Sequence, residues 1–138
     1  MNVRLDAVDW KILKELQDDG RMTNVELARR VGITAPPCLR RVRALEEAGI
    51  IRAYRAVLDE HRLGYDISAF AMVSLHHQGE ADLRAFEAMI AEWDIVRTAW
   101  MMSGDIDFIL ECVAPTLSAF HVFVLDHLVA VENVDTVR

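Results

Sequence analysis

The sequence predicts an α+β chain of two modules, a helix-turn-helix unit with a wing strand followed by a ferredoxin-like βαββαβ unit. Three observations carry this. Three short helical patterns open the chain, each with its own start and stop residues. From residue 67 the apolar period switches to strand, helix, strand, strand, helix, strand. The charge also changes sign: residues 1–64 hold 12 Lys and Arg against 10 Asp and Glu (net +2), residues 65–138 hold 3 against 12 (net −9). Such asymmetry points to modules with different partners. The expected boundaries are 1–58 for the first module, 59–66 for a hinge and 67–138 for the second.

Asp6 is the expected cap of the first helix, with Asp9 at its third position. Val8, Ile12, Leu13 and Leu16 form its buried face, with Trp10 at the edge. Asp18-Asp19-Gly20 ends it, Gly20 supplying a left-handed residue. Thr23-x-x-Glu26 reads as a capping box for the second helix, flanked by a Met22–Leu27 staple. Its apolar side is Val25, Leu27, Ala28 and Val31, and Gly32 stops it.

The third helix, Thr34–Gly49, has two unlike faces. Cys38, Val42 and Leu45 form a narrow apolar stripe at i, i+4 and i+7. Arg40, Arg41 and Arg43 put three cations within four positions. Thr34 is the expected N-cap, and Pro36 and Pro37 fall in or beside the first turn, where a missing N–H costs little. A short basic helix held by its apolar back suits the major groove of duplex DNA. Arg40 and Arg43 are then base-edge or phosphate candidates, and Pro36 and Leu39 are apolar contacts for thymine methyls. Thr34, Pro37 and Arg41 are further DNA-contact candidates, Arg41 lying between the two faces with Glu46 and Glu47 as competing intramolecular partners. Arg29, Arg30, Arg52 and Arg55 are placed as phosphate contacts, which position the protein without reading sequence. Ile50–Leu58, β-branched and aromatic with Arg52 and Arg55 interleaved, reads as a strand pair or wing strand.

In the second module Ile67–His77 alternates as a strand, and Leu83, Phe86, Met89, Ile90 and Trp93 give a helix over 81–93. Strands follow at 95–102 and 106–113, joined by a turn at Ser103-Gly104-Asp105. A helix over 116–128 carries Leu117, Phe120, Val124 and Leu128, and a last strand begins at Val131. The chain stops in mid-strand by this reading, so a continuation is expected to be missing. One face of such a sheet is covered by helices. The other, with Trp100 and Met102, needs a partner, which predicts self-association.

No apolar run reaches the roughly 18 residues of a membrane span, and residues 1–6 lack the apolar core of a signal peptide, so a cytoplasmic protein is expected. Cys38 and Cys112 lie far apart on apolar faces and read as buried thiols. The five histidines have no chelating spacing, and no phosphate loop or nucleophile motif occurs, so no metal, cofactor or catalytic residue is expected.

Taken in order, Leu5-Asp6, Ile12-Leu13, Leu27-Ala28, Val31-Gly32, Arg41-Val42-x-x-Leu45-Glu46-x-x-Gly49-Ile50-Ile51, Leu58-Asp59-x-x-x-Leu63-Gly64 and Gly104-Asp105-Ile106-Asp107 resemble the Lrp/AsnC (feast/famine) family of transcription regulators over the whole chain. The resemblance implies a winged helix-turn-helix on DNA and a second domain for effector sensing and oligomerisation. It also implies dimers that build tetramers or octamers, and response to an amino acid bound where subunits meet. The implied effector residues are Met102, Ser103, Gly104, Asp105 and Asp107. In this turn, N–H groups and a hydroxyl suit a carboxylate, and the aspartates suit an ammonium. The competing reading of the turn is Asp105 bonded to its own backbone. Two alternatives stand beside a sequence-specific, amino-acid-responsive regulator: an architectural DNA-binding protein of the same family without effector, and a small ferredoxin-like enzyme using Trp100, His76 and Asp107.

Overall fold

The computed structural model describes residues 4–138, and they fall into two compact units that meet at Val57/Leu58. In the first unit, α1 spans Ala7–Asp18, α2 Asn24–Val31 and α3 Ala35–Glu47. Their shared core is Ile12, Leu27, Ala28, Val31, Cys38 and Leu45, with Val8, Leu13, Leu16, Met22 and Val42 packed around it. The apolar stripe of α3 is therefore buried, and its basic side is left to solvent.

The helix ends show which local signals acted. At α1 the box closes fully: the Asp6 carboxylate accepts the Asp9 N–H at 2.9 Å and Asp9 accepts the Asp6 N–H at 3.1 Å. At α2 only half forms. Thr23 Oγ1 accepts the Glu26 N–H, but the Glu26 carboxylate turns to Arg29 and Arg30 instead of the cap. Guanidinium donors at i+3 and i+4 outcompete a single backbone N–H. Thr34 is the N-cap of α3 in backbone geometry but makes no side-chain cap bond. Asn24 adds a different bond, donating from Nδ2 to the Ala35 carbonyl at 2.8 Å, which ties α2 to the start of α3 without capping its free N–H groups.

Three expectations for this unit are overturned. Gly20 does not adopt the left-handed conformation; α1 ends on an extended Asp19, whose N–H reaches the Glu15 carbonyl. A Cβ at Gly20 would meet the Tyr54 ring at 3.3 Å, so the glycine makes room for a side chain. Val25 is 71% exposed, because α2 is short and its buried stripe holds only Leu27, Ala28 and Val31. The segment after α3 is extended but is not a strand: among the described residues nothing pairs with Arg52–Leu58. A ladder needs a second strand, and the described residues of this unit supply none. The segment runs beside α1, leaving a groove of about 750 Å³ lined by residues that include Trp10, Leu13, Lys14, Tyr54 and Arg55.

In the second unit a one-turn helix at His61–Leu63 precedes β1 (Ile67–Leu75). α4 (Glu80–Ala91), β2 (Val96–Met101), β3 (Phe108–Ala114), α5 (Leu117–Phe123) and β4 (Val134–Val137) follow. A wider turn, Val124–Leu128, continues α5, with the Val129 N–H reaching back five residues to the Val124 carbonyl. The antiparallel sheet has the order β2-β3-β1-β4, the split βαβ arrangement. Strand alternation sorts the faces. Ala71, Val73 and Leu75 with Phe108, Leu110 and Cys112 pack under Phe86, Ile90, Phe123 and Leu128 of the helical layer. Phe70, Met72, Ile109 and Trp100 fall on the opposite face, where Trp100 pairs with Ile109 and Ile109 with Met72 across the strands. Phe70 is 61% and Trp100 45% exposed. Both cysteines are free and buried, and burial raises the Cys112 thiol to about 11.

Candidate nucleic-acid interface and ligand-binding turn

α3 owes its orientation to sequence in two ways. Its stripe sinks Cys38 and Leu45 into the core, and the left-handed Gly32 and Gly49 (φ 78° and 72°) bound the region in which it lies. On the far side Thr34, Pro36, Leu39, Arg40 and Arg43 are exposed and Pro37 is half-buried. Arg40 and Arg43, three apart, share this face. Neither takes part in an ion pair among the described residues. They are cations whose donors remain open to a ligand.

The other arginines differ. Arg41 is engaged, with its Nη1 2.7 Å from Asp6 Oδ2 and 3.0 Å from Asp9 Oδ1, and not with Glu46 or Glu47. Arg29 and Arg30 both donate to Glu26, and Arg30 also reaches Glu15 at 3.2 Å. Hydrogen bonds from the two guanidiniums, Arg29 first and then Arg30, hold the Glu26 carboxyl down at about 2. These two arginines face solvent with part of their charge already compensated. Arg52 and Arg55 are exposed on the extended segment.

The turn between β2 and β3 has a different construction. Met102, Ser103, Gly104 and Asp105 are exposed, and Gly104 sits at φ 115°, a conformation that excludes side chains. Asp107 is not part of that surface, being only 7% exposed. Its Oδ2 accepts the Leu75 N–H at 2.7 Å and Gln78 Nε2 at 3.3 Å. Its own N–H goes to the Val73 carbonyl, and its carbonyl accepts the Met102 N–H. Asp107 therefore welds the base of the turn to the end of β1. The sequence reading treated it as equivalent to Asp105, whereas packing separates them: one carboxylate is spent on the backbone, the other is free. The contribution of Gln78 was missed, for nothing in its sequence neighbourhood signals a contact 29 residues away.

Two family models divide the chain as the fold does. A winged helix-turn-helix DNA-binding domain matches residues 5–52 and an Lrp/AsnC ligand binding domain matches residues 68–138. The chain belongs to the Lrp/AsnC family. It is 64% identical to a leucine-responsive regulatory protein of Rhizobium meliloti over 138 residues, all of this chain and 88% of that one. It is 40% identical to the Bkd operon transcriptional regulator of Pseudomonas aeruginosa over 134 residues, covering 97% of this chain and 88% of that one. Among solved structures, a Neisseria meningitidis transcriptional regulator in complex with L-Met superposes with a TM-score of 0.92 at 38% identity, over 98% of this chain and 87% of that one. The chain is thus a DNA-binding transcriptional regulator of the Lrp type, with the family's ligand-binding domain as its second unit. Among the described residues no group of three potential ligands could hold a metal, and no helix is long and apolar enough to cross a membrane.

Proposed function

We propose that the protein is an amino-acid-responsive regulator, working at the chromosome in the cytoplasm, that reads duplex DNA with α3 and senses its effector at the β2–β3 turn. The observation that carries the DNA half is the solvent face of α3, with Arg40 and Arg43 free of carboxylate partners. Such arginines suit guanine O6 and N7, each worth about 1–3 kcal/mol of discrimination. Pro36 and Leu39 offer apolar contact beside them, with Thr34 and Pro37 at the helix entry. Arg29, Arg30, Arg52 and Arg55 serve the phosphates. In the second unit Met102, Ser103, Gly104 and Asp105 form the effector surface. Backbone N–H groups and the Ser103 hydroxyl face a carboxylate, the Asp105 carboxylate faces an ammonium, and Asp107 holds the turn in shape.

The open sheet face, with Phe70, Met72, Ile109 and Trp100, meets a second copy. Effector action follows if the amino acid binds one assembly better than another, because only differential affinity shifts an equilibrium. The L-Met bound to the Neisseria relative favours this over an effector-free architectural role. An enzymatic role is disfavoured, because the relatives are regulators and Asp107, a residue such a role would need, is occupied by the backbone. Titration calorimetry against each of the twenty amino acids, with DNA binding measured in the presence of any that bind, tests the proposal. Heat from one of them, lost in Asp105→Ala, is expected. No heat from any would leave the architectural reading.

A further inference from the structure

Arg41 occupies an unusual position for a cation on a helix that reads DNA. α3 packs chiefly on α2, and α1 also packs on α2. Arg41 is the polar tie that joins α3 to the start of α1 directly. One nitrogen, Nη1, bridges Asp6 Oδ2 at 2.7 Å and Asp9 Oδ1 at 3.0 Å. The other oxygen of each carboxylate is already committed to the reciprocal cap, Asp6 Oδ1 on the Asp9 N–H and Asp9 Oδ2 on the Asp6 N–H. The cap therefore presents two fixed, fully oriented oxygens to the guanidinium. Arg41 is 35% exposed and Asp9 only 16%, so the pair is partly shielded from water. The Asp6 carboxyl is held below its ordinary range, first by the Asp9 N–H and then by Arg41, and the Arg41 guanidinium is raised by both carboxylates.

Successive residues of an α-helix are about 100° apart, so holding Arg41 toward α1 adds a polar restraint to the rotation that the buried Cys38 and Leu45 already give α3. That rotation decides where Arg40 and Arg43 point. We infer that Arg41 is a positioning residue: it stays on the Asp6–Asp9 cap in the DNA complex, aims the Arg40/Arg43 face, and makes no phosphate contact of its own. This rests on the reading of α3 as the DNA-contacting helix.

The two roles predict opposite signs for one perturbation. Asp6→Asn/Asp9→Asn keeps oxygens for the cap but removes the charges that hold Arg41. If Arg41 were a phosphate contact, this variant would free it, and binding would strengthen. If Arg41 is a clamp, binding to a duplex selected from a random pool by the parent protein weakens about tenfold, the equivalent of one misplaced bidentate arginine. Affinity for a scrambled duplex of equal length does not fall.

Arg41→Gln is expected to lose specific affinity similarly with its salt dependence unchanged. Loss of a phosphate contact would instead lower the slope of log K against log salt by about 0.9. Arg41→Lys, which retains a charge near Asp9, restores part of the selectivity and serves if Arg41→Gln does not fold. Tighter binding by the double asparagine variant, a reduced salt slope in the Arg41 variants, or equal losses on both duplexes would overturn the clamp. Arg40→Ala/Arg43→Ala is the separate control: if it binds both duplexes as the parent does, the reading of α3 fails.

Discussion

Removing the Asp107 carboxylate should loosen the second unit from the base of the turn. Asp107→Ala leaves the Leu75 N–H, now held at 2.7 Å in a buried setting, without an acceptor, and frees Gln78 Nε2. A buried donor left unpaired costs about 1–3 kcal/mol. For a unit of this size each kcal/mol moves the melting temperature by about 4–8 °C, so a loss of about 5–20 °C is expected. Differential scanning calorimetry gives the melting temperature of the second unit, and amide hydrogen exchange gives a local readout at Leu75. Asp107→Asn keeps one oxygen for that N–H and should recover about half of the loss, since a neutral acceptor is weaker than an ionised one. A melt within about 1 °C of the parent, with the Leu75 amide exchanging at its parent rate, would refute the assignment of Asp107 as a structural weld.

Gly32→Ala and Gly20→Ala should differ in stability, as judged by urea unfolding. Gly32 sits at φ 78° and its substitution costs about 1–2 kcal/mol of left-handed strain, whereas Gly20 requires only that the exposed Tyr54 ring shift by tenths of an ångström. Titrating the Glu26 carboxyl by NMR should give a value near 2, rising toward 4.5 in Arg29→Gln/Arg30→Gln. Because the folded value lies below the ordinary one, this pairing stabilises the fold above pH 4.5 and fades as pH falls toward 2. Phe70→Glu/Trp100→Glu, on the open sheet face, is expected to lower the sedimentation mass to that of a smaller assembly while leaving the circular dichroism unchanged. An unaltered mass would place the contact between copies elsewhere.

The elements most legible in the sequence were those decided by period and by local caps. The α3 stripe of Cys38, Val42 and Leu45, the Asp6 box and the βαββαβ order all rest on spacings of a few residues, and the structure has them. Most of what differs from the sequence expectation was decided across the chain, and one case by competition within a single helix turn. Gly20 reads as a helix stop because glycine usually is one, but here it faces Tyr54, 34 positions on. Glu26 reads as a cap partner until two arginines one turn away compete for it. Arg41 has two glutamates nearby in sequence, yet its partners are 35 and 32 residues earlier. The wing segment has strand composition but no partner to pair with among the described residues. At the β2–β3 turn the exposed residues follow from the glycine and its neighbours, while the separation of Asp107 from Asp105 needed the burial of β1 and β3 to be known.

The structure of α3 also limits what one copy can achieve. On the reading proposed above its base contacts are Arg40 and Arg43, which at about 1–3 kcal/mol each would supply about 2–6 kcal/mol of discrimination at most. Specific binding generally stands about 4–10 kcal/mol above non-specific binding, and a chromosome offers a vast excess of competing sites. One helix reaches the lower part of that range; two copies, roughly doubling the contribution, cover it. In their proposed role as phosphate contacts, Arg29, Arg30, Arg52 and Arg55 would not close the gap, because such contacts strengthen right and wrong sequences alike. The need for paired reading helices therefore comes from the first unit alone, and the exposed sheet face of the second unit is what we propose supplies the pairing. An effector acting on that pairing would govern specificity without touching a single DNA contact.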